Sequence, residues 1–188
     1  MTRSEHVLYG VEDGSFDAFN KKGVQTTVLC GVLLESSVIV DVRLSEITVD
    51  GTDSTDELLR MSSGVKADAV ILGGITFAGF NVMDPFRING ETGIPVIVYS
   101  GVRPDNGSMM AALKSHFNDW RERWAIVERL GEVYSTETFP REPVVYYEVV
   151  GESPEWAEEV LRGSAVLSRI PEPVRVAGLI ARGVSSSV

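Results

Sequence analysis

Two β-branched, apolar stretches, Val24 to Glu35 and Val38 to Val49, are separated only by Ser36-Ser37. That pairing constrains the chain most. A two-residue break joins antiparallel neighbours and cannot span a crossover. The partial alternation of Val38, Val40, Val42 and Leu44 with Ile39, Asp41, Arg43 and Ser45 describes a strand with two unlike faces. Val7 to Val11 reads as a short buried strand ending at the carboxylate-bearing turn Glu12-Asp13-Gly14-Ser15. The first three strands are therefore expected to form one antiparallel meander.

The pattern then changes. Ser54-Thr55-Asp56-Glu57 is a capping-box pattern that opens a short helix closed near Gly64. The continuous apolar runs Ala69–Leu72 and Pro95–Tyr99 follow, with an irregular stretch and a short helix between them. Runs of that kind separated by crossovers suggest parallel strands covered on both faces. Apolar residues at helical spacing from Gly107 to Leu130, including Phe117, Trp120 and Trp124, predict one long helix stopped by Gly131. Val144 to Val150 is one more strand. Ser153-Pro154 opens a helix to about Arg162, and a last helix runs from Pro173 to Ala181, ending at Gly183. The fold class is thus α/β with a mixed sheet. A length of 188 residues and 44% apolar content suit a single domain over 1–188, with 184–188 as a frayed tail.

Seventeen basic against 27 acidic residues give a formal charge of −10, so the overall field repels a phosphate backbone, and a nucleic-acid role must be local or metal-assisted. The lone Cys30 lies in an apolar run and is expected to be a buried, inert thiol. No signal-peptide stretch is seen, nor any run of roughly 20 apolar residues. The simplest placement is soluble and cytoplasmic, with no membrane partner. A homodimer is expected only because homo-oligomers are common.

Phosphate-loop, nucleophile-elbow, H-E-x-x-H and C-x-x-C motifs are absent, and two histidines cannot build a histidine-rich metal site. Any chemistry falls to carboxylates. The candidates lie at strand ends: Glu12 and Asp13, then Asp50 and Asp53, then Asp84. Two or three of them brought together make an oxygen-only site suited to Mg²⁺ or Mn²⁺. The plainer alternative carries more weight on spacing alone, since Asp13-Gly14 and Asp50-Gly51 are ordinary turn dipeptides and Asp53 or Ser54 must cap a helix. The glycines of Gly73–Asn81 could admit an anion to backbone N–H groups, with Asn81 and Asp84 as the nearest polar side chains; close packing of the loop explains them as well. Arg175 either sits at a helix entry beside Glu172 or offers a guanidinium to phosphate.

Four segments carry a resemblance: Val11-Glu12-Asp13-Gly14-Ser15-Phe16, Val49–Thr55, Gly74–Val82 and Ile170–Ala177. Together they resemble domain-of-unknown-function family ninety-nine, a largely archaeal group, over about Leu8 to Gly183. That family is similar in fold to endonuclease V, a ribonuclease H-like enzyme that cuts nucleic acid near deaminated bases with Mg²⁺ held by carboxylates. The resemblance implies a sheet with three antiparallel strands followed by parallel ones. It also implies Glu12 as the first metal acid, in Gly10-Val11-Glu12, and Asp50, with Asp53 competing, as the second. Where endonuclease V has its third acid, this chain has Gly73-Gly74, so Asp13 or Asp84 must substitute.

Two functions follow. The first is a Mg²⁺- or Mn²⁺-dependent nuclease or phosphodiesterase with Glu12, Asp50 and Asp13 catalytic, Glu12, Asp50, Asp53 and Asp84 on the metal, and Asn81 and Arg175 on the substrate. The second is a degenerate nuclease fold that binds nucleic acid or protein. An actin-like kinase needs two domains around its nucleotide, and 188 residues are too few for them.

Overall fold

The computed structural model describes residues 6–17 and 23–185, and in it the expected meander forms from β1 (Val7–Asp13), β2 (Thr26–Glu35) and β3 (Val38–Thr48). Both pairings are antiparallel, and Ser36 takes a left-handed φ of 57° in the tight turn. α1 (Ser54–Met61) leads to β4 (Ala69–Leu72), which lies parallel to β1 with Val11 opposite Leu72. A two-stranded hairpin, β5 (Thr76–Phe77) and β6 (Asn81–Val82), and the short helix α2 (Pro85–Thr92) fill the next crossover. β7 (Val96–Ser100) is parallel to β4.

The remaining elements are α3 (Asn106–His116), α4 (Trp120–Leu130), β8 (Tyr134–Thr136), β9 (Val145–Val150), α5 (Pro154–Ser164) and α6 (Glu172–Ser185). β9 runs antiparallel to β7, and the sheet order is β3-β2-β1-β4-β7-β9-β8. Only the two central pairs are parallel. The fold is the mixed α/β sheet expected from the sequence.

Strand alternation divides the core between the two sheet faces. Tyr9, Val11, Leu72 and Val98 meet Leu58, Met61, Met83 and Ile88 on one face, while Leu8, Ile71, Ile97 and Tyr147 meet Ala157, Leu161 and Val174 on the other. Cys30 is buried there with Val32, Leu34, Ala177 and Ala181, and burial raises its thiol pKa to about 11. α6 lies so close on β1 that a Cβ at Gly10 would overlap the Pro173 and Val174 backbone.

Three sequence expectations need correction. The long helix is two helices, because Phe117 is extended (φ −127°, ψ 128°) and turns its ring toward Phe80, with centroids 5.4 Å apart. Helical periodicity continues across the break, so it could not reveal it. The last helix does not stop at Gly183 but reaches Ser185, whose Oγ accepts the Ser15 N–H at 2.8 Å; residues 186–188 lie outside the described residues. The α1 N-terminus is not closed by its own capping box. Asn81 Oδ1 accepts the Ser54 N–H at 3.1 Å from across the fold.

Candidate active site

β1 ends on two adjacent acids whose Cβ atoms start from opposite faces of the strand but whose charges still act on one another at its tip. Glu12 shares the face of Leu8 and Gly10, under α6. Its carboxylate rests over Gly73, the first residue after β4, where any Cβ would overlap it. Oε2 accepts the Asp13 N–H at 3.2 Å. Burial, then the adjacent Asp13 charge, pushes the Glu12 carboxyl up to about 7, while the Asp13 N–H and the charge of Arg182 on α6 act against the rise. Asp13 is also raised, first by burial, and its Oδ2 accepts the Ala78 N–H at 2.5 Å.

Asp50 grips the same hairpin tip from the other side. In a left-handed conformation (φ 58°), it donates its N–H to the Ala78 carbonyl at 2.8 Å and accepts the Phe80 N–H on Oδ1 at 2.9 Å. Ala78 and Gly79 are themselves left-handed, at φ 42° and 84°. The tip between β5 and β6 is therefore clamped between Asp13 and Asp50, which links the end of β1 to the turn after β3.

The clamp has a third member that the sequence concealed. Arg123 on α4 is only 7% exposed. Its guanidinium donates to the carbonyls of Gly51 (2.8 Å), Phe80 (2.6 Å) and Asp50 (3.0 Å), and to Asp119 (3.0 Å). In sequence Arg123 looks like one of several arginines balanced by neighbouring acids. The available signal was its place on the apolar face of α4, between Trp120 and Val127.

The other expected ligands are engaged elsewhere. Asp53 accepts from the Thr48 hydroxyl (2.7 Å) and Asn81 Nδ2 (2.6 Å); burial opposes its ionisation, but these hydrogen bonds outweigh it and hold the carboxyl below the usual range. Asp84 caps α2, accepting the Phe86 and Arg87 N–H groups at 2.9 and 3.1 Å. Asn81 is fully buried as the strut between Asp53, the Thr48 carbonyl and Ser54. Arg175 forms a two-point pair with Glu172 at 2.8 and 2.6 Å, which takes up the guanidinium fork.

Glu12, Asp50, Asp53 and Asp84 thus do not form one shell. Among the described residues no three His, Cys, Asp or Glu side chains stand close enough to share a metal ion. Adjacent in sequence and electrostatically coupled, Glu12 and Asp13 remain as the carboxylate pair.

A match to the family model described as endonuclease dU spans residues 5–185. The chain belongs to the endonuclease dU family. A UPF0215 protein of Thermococcus gammatolerans is 40% identical over 181 residues, which cover 94% of this chain and 91% of that protein. The crystal structure of a protein of unknown function from Archaeoglobus fulgidus is similar with a TM-score of 0.82 at 30% identity, covering 95% of this chain and 97% of that one. Endonuclease V of Ciona intestinalis, solved with a 24mer DNA containing an inosine followed by a ribo-adenosine, is similar with a TM-score of 0.61 at 15% identity, covering 98% and 91%. At that identity the likeness shows the fold alone, and this endonuclease dU family member has the fold of endonuclease V. Among the described residues no helix is long and apolar enough to cross a membrane.

Proposed function

We propose that the chain is a divalent-metal-dependent endonuclease that cuts a nucleic-acid strand beside a deaminated base, with Glu12 and Asp13 at its centre. The observation that supports this reading most is the placement of Glu12: a half-buried carboxylate at the tip of β1, over a residue without a side chain and beside a second carboxylate. The family description names dU, and the endonuclease V structure of like fold was solved with DNA containing an inosine, which supports a reading in terms of deaminated bases.

The donor set suits Mg²⁺ or Mn²⁺. Two carboxylates are hard oxygen donors, and Mg²⁺ is commonly held by one or two of them with water and substrate phosphate completing its coordination. The chemistry such an ion supplies is neutralisation of charge on the phosphodiester and activation of water. Glu12 and Asp13 would hold it. Asp50 and Arg123 act as positioning residues, fixing the hairpin tip whose Ala78 N–H orients the Asp13 carboxylate. With a whole-chain charge of −10, a cation at the acids would ease the approach of a polyanion.

The test is incubation of oligonucleotides bearing one deoxyuridine or one inosine, single- and double-stranded, with Mg²⁺ or Mn²⁺. Cleavage that disappears on chelation and in Glu12→Gln is the expected result. Cleavage undiminished in Glu12→Gln would overturn the assignment of the centre. A second reading, a catalytically silent nucleic-acid- or protein-binding module, is favoured by the absence of three convergent acids among the described residues. Metal-independent binding with no cleavage of either base would decide for it.

A further inference from the structure

β3 lies at the edge of the sheet, paired to β2 alone, and is 11 residues long. Long edges are usually guarded by proline, lysine or a bulge, because free N–H and C=O groups invite another strand. β3 has neither proline nor lysine. Its one irregularity lies toward the Val38 end, where the register shifts opposite Leu33-Leu34 and Val40 is left without a partner. The stretch after it is regular.

The ladder shows which groups of that stretch are free. Val49 donates its N–H to the Gln25 carbonyl at 2.8 Å, in register with the β2–β3 pairing. Antiparallel residues alternate between bonding to their neighbour and facing away from it, so Arg43, Ser45 and Ile47 bond to β2 while Val42, Leu44 and Glu46 turn their N–H and C=O groups outward. Thr48 also faces outward, but Asp53 accepts its N–H at 3.1 Å. The open edge is therefore bounded by the bulge and by Asp53, with Leu44 at its centre.

The side chains along it are apolar on one face. Val42 and Leu44 share the sheet face of Val32 and Cys30, which α6 covers over β2 but not over β3. Val40, Val42 and Leu44 are left 54, 39 and 48% exposed. α1 closes the other face, where Arg43 donates to the Met61 and Ser63 carbonyls and Ser45 to Glu57.

We propose that the outer edge of β3 pairs with the same edge of a second copy of this chain, antiparallel about a two-fold axis at Leu44. In that register Leu44 meets its own counterpart and Val42 meets Glu46, so every outward N–H of the open stretch finds an outward C=O. The register is selected by what bounds the edge. An axis at Val42 would call on bulged Val40, an axis at Ser45 would call on Thr48, whose N–H is taken, and an axis at Arg43 would set that guanidinium against itself. With the axis at Leu44, Arg43 of one copy instead lies opposite Ser45 of the other, whose hydroxyl is bonded to Glu57, so unlike charges approach. The two-fold contact is isologous and uses each β3 once, which closes the pairing at a dimer. A contact one strand wide is a small interface, and a dissociation constant in the micromolar range is expected of it.

The test is sedimentation equilibrium of the full chain between about 1 and 100 μM, with a monomer–dimer equilibrium expected. Leu44→Lys places like charges opposite one another at the axis and should weaken association by about tenfold or more, with thermal unfolding as the check that the variant is folded. Leu44→Cys under mild oxidation should yield a covalent dimer, because directly opposed residues stand within disulfide reach. Val38→Cys, also on the exposed part of β3, should not, since the register separates that position from its counterpart by about 40 Å. Cys30 is buried and does not contribute. A monomer at the highest concentration, or a dimer unweakened in Leu44→Lys, overturns the proposal. Equal cross-linking of the two cysteine variants overturns the two-fold at Leu44, as do species that grow beyond a dimer. None of these measurements involves nucleic acid or metal, so their outcome is independent of the nuclease reading.

Discussion

The Glu12 carboxylate occupies the volume that a side chain at position 73 would require. The two positions are coupled: a long acid on β1 can fill the space only because the residue after β4 has no Cβ. Gly73→Ala should therefore displace Glu12 and cost roughly 1–3 kcal/mol, the usual range for overpacking. Shortening the acid in Glu12→Asp should recover part of that loss. Denaturant unfolding of both single variants and the double variant measures the coupling; strictly additive effects would show that the two positions do not share the space.

Arg123 joins the turn after β3 to the hairpin tip through three carbonyls. Arg123→Ala leaves these acceptors short of a donor at a buried site, with an expected cost of about 2–4 kcal/mol. Arg123→Lys should rescue little, because a point-like ammonium cannot reach all three as the planar fork does. Hydrogen exchange at Ala78 and Phe80 should rise in both variants if the clamp is what holds the tip.

Glu148 makes stability depend on pH in a definite direction. Its folded pKa, raised by burial to about 7, lies above the ordinary 4.5, so the unfolded chain releases this proton first as pH rises. Its contribution is complete below about pH 4.5 and is lost through pH 7, on the order of 3 kcal/mol at most. Glu12 is raised in the same direction and adds to the trend. The melting temperature should fall between pH 5 and 8, and Glu148→Gln should flatten that fall; an identical profile in the variant would exclude Glu148 as a source.

Gly10 has no room for a side chain because the α6 backbone lies on it. Gly10→Ala forces helix and strand apart, and the obstacle is main chain that cannot rotate away. An expected loss of about 3 kcal/mol or more sits at the upper end of overpacking costs. A melting temperature within a degree of the unaltered protein would show that α6 shifts freely.

Local patterns made much of this protein legible in sequence. The Ser36-Ser37 break implied the hairpin, the runs Ala69–Leu72 and Pro95–Tyr99 implied the parallel pair, and Ser153-Pro154 marked the start of α5. The break at Phe117 and the strand β8 were not legible. In the first case helical periodicity persists through the interruption, and in the second three residues are too few to show any period. The four resembling segments indicated the endonuclease V fold before any geometry was known.

The fate of each acid belonged to the tertiary structure. Asp13, Asp50, Asp53 and Asp84 look alike as strand-end acids in turns, yet one meets the Ala78 N–H, one the Phe80 N–H, one Thr48 and Asn81, and one the α2 N-terminus. Each of those partners, except the α2 cap and Thr48, is at least 28 residues away, and local spacing carries no information about which distant donor will arrive. Glu148 is the converse case: its sequence shows an acid inside an apolar strand, but only packing decides that it is buried opposite Val98. Sequence by itself determined the longer strands, their order of appearance and the supply of carboxylates, because those follow from periodicity and residue type. Packing alone decided which carboxylates are structural and which remain unengaged, because hydrogen-bond partnership depends on distances between segments that the chain order does not set.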